Sequence, residues 1–128
     1  MLHGFFQIII FHGEADDYVP MAPCREYVNR LQTAGANVKL IGYASAYHGF
    51  DIQGLPEKIC MPNFQQAVKC RIKKACGNMI NADTGKTISR SDACARIGGT
   101  VGYNKAAHQK SIDDVLREVK SVFKLESK

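Results

Sequence analysis

The feature that most constrains this chain is a short apolar run near its start, followed directly by glycine and acidic residues. Residues 5–11 read FFQIIIF, and the run ends at His12 and Gly13. A short, nearly continuous run rich in isoleucine and phenylalanine is typical of a parallel strand buried on both faces. Because parallel strands need a crossover connection, we expect a second strand to follow after a helix.

The next segment has the pattern of that helix and that second strand. Pro20 and Pro23 mark a loop that leads into a helix, and Gly35 provides its stop. Residues 38–43 (VKLIGY) then read as a strand. The apolar positions of the helix fall on one face: Cys24, Tyr27, Val28 and Leu31. Residues 5–52 are therefore predicted to form a βαβ unit with parallel strands.

The middle of the chain, residues 53–103, has no such regular pattern, and we predict an irregular, β-rich insert. A basic stripe alternates with apolar residues there: Lys69, Arg71, Lys73 and Lys74. This alternation is typical of a short exposed strand whose lysines discourage the addition of further strands, so we assign no partner to the stripe. Residues 78–89 predict a hairpin with its turn at residues 83–86.

Residues 104–128 are predicted to form a C-terminal amphipathic helix. Its apolar residues recur at helical spacing: Ile112, Val115, Leu116, Val119, Val122 and Phe123. Ser111 and Asp114 resemble a capping box in which Asp stands in for the usual Glu or Gln.

The five cysteines are an odd number, and no pair has the CxxC spacing of a zinc or redox site. Cys70 and Cys94 flank a segment rich in polar and turn residues. Two alternatives remain open at this point, namely a disulfide that closes this segment in an oxidising compartment, or free buried thiols.

Composition and charge exclude several classes of protein. The chain of 128 residues is 45% apolar and 23% charged, which is a globular balance, and no run approaches the roughly 20 apolar residues of a membrane span. The net charge is +5, but lysines are spread along the chain. We expect a soluble protein without a membrane or nucleic-acid partner. A cytoplasmic location is favoured, and a periplasmic one would require a signal further upstream.

Two residues that suit catalysis follow the two predicted strands. Asp16 comes just after the first strand, and His48 lies just beyond the second. Because parallel strands collect functional groups at their carboxyl ends, we expect both side chains to point toward one site. Asp16 is the candidate acid that orients His48, the candidate general base. Asp17 is the alternative acid.

The two motifs around these residues, HGEADDYVP and AYHGF, resemble the acid and histidine motifs of the dienelactone hydrolase family. The resemblance covers residues 8–51 well and extends more weakly to residues 98–123, where GGTVGYNKAA precedes the last helix. It implies the C-terminal part of an α/β-hydrolase fold, with a parallel sheet and flanking helices. It also implies a hydrolase of small-molecule esters or lactones that uses neither a cofactor nor a metal.

In this superfamily a nucleophile on a G-x-S-x-G elbow, or its cysteine equivalent, precedes the acid and the histidine. The sequence contains no such elbow, and no residue among Cys24, Ser45, Ser89, Ser91 and Cys94 has the flanking pattern. We therefore expect the chain alone to be inactive, as the C-terminal portion of an enzyme whose nucleophile lies elsewhere.

Two other interpretations compete with the hydrolase portion. A cluster of His12, Glu14, Asp16 and His48 offers nitrogen and oxygen ligands for a divalent metal, although no HExxH-like helical spacing supports it. The other interpretation is a self-contained, non-catalytic α/β module that binds a small molecule or a protein.

Overall fold

The structure is a computed structural model, and it describes residues 7–125. This part of the chain begins with a parallel βαβ unit. It consists of β1 (Ile8–Gly13), α1 (Met21–Thr33) and β2 (Val38–Tyr43). The two strands pair in register, with Ile8 opposite Val38 and Gly13 opposite Tyr43. Phe5 and Phe6 of the predicted first strand lie outside the described residues.

Local sequence accounts for the bounds of α1. Pro20 has an extended backbone at the N-cap, and Pro23 lies in the first turn, where a missing N–H breaks no hydrogen bond of the helix. At the other end, Gly35 adopts a φ of +87° and donates its N–H to the carbonyl of Gln32. Glycine reaches this left-handed conformation without a steric cost, so the chain can turn back toward β2.

Six shorter strands follow, and all of them pair in antiparallel fashion. Pairing joins β3 to β8, β4 to β7 and β5 to β6, each as a separate two-stranded sheet. Their bounds are Ile59–Cys60 for β3, Gln65–Gln66 for β4, Ile72–Ala75 for β5, Asn78–Asn81 for β6, Arg96–Ile97 for β7 and Thr100–Val101 for β8. A disulfide between Cys70 and Cys94 crosses this region, which decides between the two alternatives for these cysteines.

The predicted fold class, the C-terminal part of an α/β-hydrolase fold, is wrong. Residues 7–125 contain two helices and four two-stranded sheets. Apart from an isolated bridge between His48 and Val101, the parallel pairing is limited to β1 and β2. An extended parallel sheet needs several apolar strands joined by crossovers. In the described part of the chain two strands have that length and composition, whereas the other six have two to four residues each and pair in antiparallel fashion.

The second helix, α2 (Lys105–Phe123), begins six residues before the predicted capping box. Its N-cap is Asn104, whose side chain accepts a hydrogen bond from the backbone N–H of Ala107 at 3.0 Å. Ser111 and Asp114 lie inside the helix, so their capping role is wrong. Residues 126–128 of the predicted helix lie outside the described part. No helix within residues 7–125 is long and apolar enough to cross a membrane.

A small core joins α2 to the βαβ unit. Its buried members are Tyr43, Ala46, Phe50 and Ala107. Beside this core, Tyr43 donates a hydrogen bond of 3.0 Å to Asp114, whose side chain is buried. Burial raises the pKa of Tyr43, and the hydrogen bond to Asp114 raises it further.

Candidate active site

The loops that follow β1 and β2 lie against each other at the carboxyl ends of these strands. The backbone N–H of Glu14 donates to the carbonyl of Tyr43 at 2.9 Å, and that of Ala15 donates to Ala46 at 3.0 Å. These two bonds continue the strand pairing beyond Gly13. They bring the acidic loop of residues 14–20 next to the loop that contains His48.

Gly13 permits this close approach of the two loops. A β-carbon at position 13 would collide with the carbonyl oxygen of Ala46. Gly13 itself is buried, so a side chain there has no solvent to enter. The close packing of the two loops therefore explains why the HGEADD motif has a glycine at this position, without reference to any family resemblance.

Asp16 uses both carboxylate oxygens in this arrangement. Its Oδ1 accepts hydrogen bonds from the backbone N–H groups of Tyr18 at 3.0 Å and Val19 at 2.7 Å. Its Oδ2 lies 3.0 Å from Nδ1 of His48. The side chain is only 7% exposed. A carboxylate fixed by two backbone donors presents its second oxygen to His48 in a defined direction.

His48 is oriented by its backbone and by an aromatic neighbour. Its carbonyl accepts the N–H of Gly102 at 3.1 Å, which attaches the loop to the segment after β8. The ring meets the Tyr18 ring edge to face, with 5.0 Å between centroids. The side chain remains 40% exposed, and within residues 7–125 its Nε2 has no hydrogen-bond partner. An ionised Asp16 can only accept, so it favours the proton on Nδ1 and leaves the lone pair of Nε2 free.

Asp17, the alternative acid, points to a different partner. Its Oδ1 accepts the backbone N–H of Thr100 at 2.7 Å, and its Oδ2 accepts the Thr100 hydroxyl at 2.8 Å. Asp16 and not Asp17 therefore contacts His48. The bond to Thr100 was not anticipated from the sequence, because it joins residues 83 positions apart that share no local pattern.

A cavity of about 220 Å³ opens beside this pair of residues. Apolar and aromatic side chains contribute to its lining, among them Phe11, Val19, Tyr47 and Phe50, together with Asp16 and His48. The ammonium of Lys58 lies 5.2 Å from the centroid of the Tyr47 ring, in a cation–π contact. A cavity of this size admits a small organic molecule, although it lies below the usual range for ligand sites.

The serine and cysteine candidates do not meet His48. Cys24 lies on α1, Cys94 is bonded to Cys70, and Ser89 and Ser91 bond to each other in the insert. Ser45 has a positive φ of 57° but lines a different cavity, next to Asn104 at the start of α2. Among residues 7–125, no serine or cysteine side chain forms a hydrogen bond with His48.

The four residues considered as metal ligands do not share one site. His12 directs Nδ1 to the carbonyl of Gly13 at 2.9 Å, and Glu14 lines a separate cavity with Gly42 and Tyr43. Within the described ranges, no group of three or more histidine, cysteine, aspartate or glutamate residues has the arrangement of a metal site.

Comparison with known proteins gives no match: no family model fits the chain, and no curated protein or solved structure is similar to it. The candidate site therefore depends on its own geometry. That geometry consists of an oriented histidine with one free ring nitrogen, a buried carboxylate on the other nitrogen, and a small cavity. Such a pair can accept a proton from a hydroxyl or thiol and stabilise the resulting imidazolium.

Proposed function

We propose that this chain is the acid and histidine portion of a hydrolase that acts on small carboxylic esters or lactones, similar to the dienelactone hydrolases. The observation that carries the proposal is the contact of 3.0 Å between Asp16 Oδ2 and His48 Nδ1. The backbone hydrogen bonds of Asp16, the exposed Nε2 of His48 and the adjacent cavity support it. The proposal concerns chemistry and does not require the α/β-hydrolase fold.

In this proposal His48 is the general base and Asp16 orients it. Nε2 of His48 takes the proton of a serine or cysteine nucleophile as that group attacks the ester carbonyl, and then returns it to the leaving oxygen. Asp16 stabilises the imidazolium between these two steps. A water molecule, which gives its proton to Nε2 of His48, then attacks the acyl group, and His48 returns the proton to the nucleophile as the carboxylic acid leaves. The nucleophile belongs to a segment outside residues 7–125, and the cavity beside His48 receives part of the substrate.

The experiment begins with the DNA upstream of the Met1 codon, read in frame for a segment that contains a glycine-flanked serine or cysteine, G-x-S-x-G or G-x-C-x-G. The protein encoded by the joined segments is then assayed with p-nitrophenyl acetate. We expect hydrolysis that His48→Ala reduces by about 10³-fold or more, as for loss of a triad member. His108→Ala is the matched control, because His108 contacts Tyr103 and does not line the cavity beside His48. Unchanged hydrolysis in the His48 variant would refute the proposal.

A second function, that of a non-catalytic binding module, is favoured by one observation. No serine or cysteine of the described residues contacts His48, so the pair here orients an imidazole without a nucleophile to activate. The two functions differ in a simple measurement. A module binds its ligand with the present chain alone, and an upstream segment adds no hydrolysis that depends on His48.

We also propose that the protein resides in an oxidising compartment. The disulfide between Cys70 and Cys94 favours an oxidising compartment over the cytoplasm, because cytosolic thiols are kept reduced. Thiol labelling of the protein, isolated from its source under acid quench, tests this placement. Three reactive thiols are expected, from Cys24, Cys60 and Cys76. Five reactive thiols would indicate a reducing compartment.

A further inference from the structure

A basic hairpin projects from the middle of the chain into solvent. We define the basic hairpin as residues 69–81, which include β5 and β6 and the turn between them. Nine consecutive residues, 71–79, are exposed. The turn is tight, with positive φ at Cys76 and Gly77. Both faces of the hairpin tip are therefore open to a partner.

The positive charge of the protein is concentrated around this hairpin. Residues 61–98 contain seven lysines and arginines and two aspartates, a formal charge of +5 that equals that of the whole chain. Arg71 forms an exposed ion pair with Asp83 at 2.9 Å. Lys73 and Lys74 have no acidic partner within residues 7–125. Their charge is available to an external anion.

Apolar side chains accompany these lysines along the hairpin. Ile72 is 44% exposed and Met79 is 57% exposed, although both are large and aliphatic. Met79 lies directly opposite Lys74 in the strand pairing, so the two side chains project from the same face. A solvated edge strand explains the lysines, but it does not explain why Ile72 and Met79 project into water beside them.

The disulfide fixes the base of the hairpin. Cys70 immediately precedes its exposed part and is bonded to Cys94 on the returning segment. On the inner side, buried Asn81 donates a hydrogen bond to Asp92 at 3.3 Å. The hairpin is thus presented in a defined direction, which reduces the entropy that a partner must overcome on binding.

We propose that the basic hairpin docks on an anionic lipid bilayer with its tip inward. Lys73 and Lys74, which project from opposite faces of β5, then reach the phosphate headgroups, and Ile72 and Met79, on the same face as Lys74, lie in the interfacial layer. Clustered cations are attracted to anionic lipid surfaces, and exposed aliphatic side chains gain free energy on entering the headgroup and acyl boundary. This peripheral contact needs no membrane-spanning helix. A nucleic acid fits less well, because residues 65–102 contain no phenylalanine, tyrosine or tryptophan on which bases can stack.

The test is co-sedimentation of the chain with vesicles of phosphatidylcholine alone or mixed with phosphatidylserine. We expect binding to the mixed vesicles only, and less binding at high salt, since the Debye length falls from about 10 Å at 0.1 M to about 3 Å at 1 M. The double variant Lys73→Gln, Lys74→Gln should weaken binding by about 30-fold, from about 1 kcal/mol per cation near the surface. Met79→Ser should also weaken binding while leaving the charge unchanged.

The matched control is Lys120→Gln, Lys124→Gln, which removes the same charge near the end of α2. It should bind mixed vesicles within about threefold of the unmodified chain. Charges that lie more than a Debye length from the bilayer are largely screened by salt and contribute little to binding. Three results would overturn the proposal: no preference for anionic vesicles, an equal loss in the control, or tighter binding to single-stranded RNA than to vesicles with the same dependence on Lys73 and Lys74. Far-ultraviolet circular dichroism checks that each variant is folded.

Discussion

Nδ1 of His48 lies 3.0 Å from Oδ2 of Asp16, and this contact joins two loops whose residues are 32 positions apart in the chain. It forms because β1 and β2 are parallel neighbours that end at the same edge. The contact has a chemical direction. An ionised carboxylate has no proton to donate, so the imidazole must donate from Nδ1.

We expect Asp16→Asn to reverse the tautomer of neutral His48. An asparagine can still accept from Tyr18 and Val19 through its oxygen, but its amide group then donates toward Nδ1 of His48. Long-range ¹H–¹⁵N spectra of the imidazole should show the proton on Nδ1 in the unmodified chain and on Nε2 in the variant. In an active joined enzyme the same change should reduce kcat by about 10⁴-fold.

Asp17→Asn is the control for this experiment. It removes a neighbouring carboxylate that contacts Thr100 and not His48, so the His48 tautomer should stay as it is. If Asp17→Asn changes the tautomer and Asp16→Asn does not, the assignment of the acid in this site is incorrect.

The second prediction concerns Gly13. Gly13→Ala should lower the free energy of unfolding by about 1–3 kcal/mol, because the new methyl group displaces the carbonyl of Ala46 and separates the two loops. Gly35→Ala is the matched control, with open space around it and a positive φ that costs about 1–2 kcal/mol. Urea unfolding measures both losses. The spectrum of His48 should change in the Gly13 variant only, and a change in both would contradict the role assigned to Gly13.

Periodic sequence patterns made part of this fold and site predictable. The two six-residue strands and α1 are long enough for their pattern of apolar residues to be recognised in the sequence. The prolines and the glycine that bound α1 can be recognised in the same way. Once these strands are placed as parallel neighbours, the proximity of Asp16 and His48 follows from geometry. The contact itself required only that the loop between Gly13 and Pro20 turn inward.

The fold class could not be predicted correctly, because the motifs around Asp16 and His48 carry information about 44 residues and not about the rest. Strands β3, β4, β7 and β8 have two residues each, which is too short for any periodic pattern. Helix α2 shows a related limit. Its apolar stripe predicted a buried face, yet Leu116 and Phe123 are exposed, since within residues 7–125 no further layer covers them.

The third prediction concerns Asp17, whose carboxylate bonds to Thr100 and not to His48. Asp17→Ala removes both hydrogen bonds to Thr100 and leaves a buried backbone N–H without its acceptor, which should cost about 2 kcal/mol of unfolding free energy. Thr100→Val removes the hydroxyl alone and should cost about 1 kcal/mol. The double variant, measured by urea unfolding, should lose less than the sum of the two. Strict additivity would mean that the hydroxyl and the carboxylate contribute independently.

The last prediction concerns the dependence of stability on pH through Asp114. Burial raises the pKa of this carboxyl, but hydrogen bonds from Lys110 and Tyr43, with the charges of Lys110 and Arg117, outweigh burial and lower the pKa from 3.8. Lys110 Nζ lies 3.2 Å and Arg117 Nη1 3.0 Å from the carboxylate. A carboxyl group with a lowered pKa in the folded state stabilises the protein above its unfolded pKa, and this contribution is lost as pH falls through the lower, folded value.

The Tm of the unmodified chain should therefore exceed that of Asp114→Asn at neutral pH, and this difference should shrink as pH decreases below about 3.8, the unfolded pKa. Tyr43→Phe should remove part of the difference, since it deletes one of the hydrogen bonds that favour the carboxylate. Asp113→Asn is the matched control, because Asp113 is exposed and bonds only to Gln109 within the described residues. Its loss of Tm at neutral pH should be the smaller one. If the difference between the unmodified chain and Asp114→Asn instead grows as pH decreases below that value, the carboxylate is not the form that joins α2 to Tyr43.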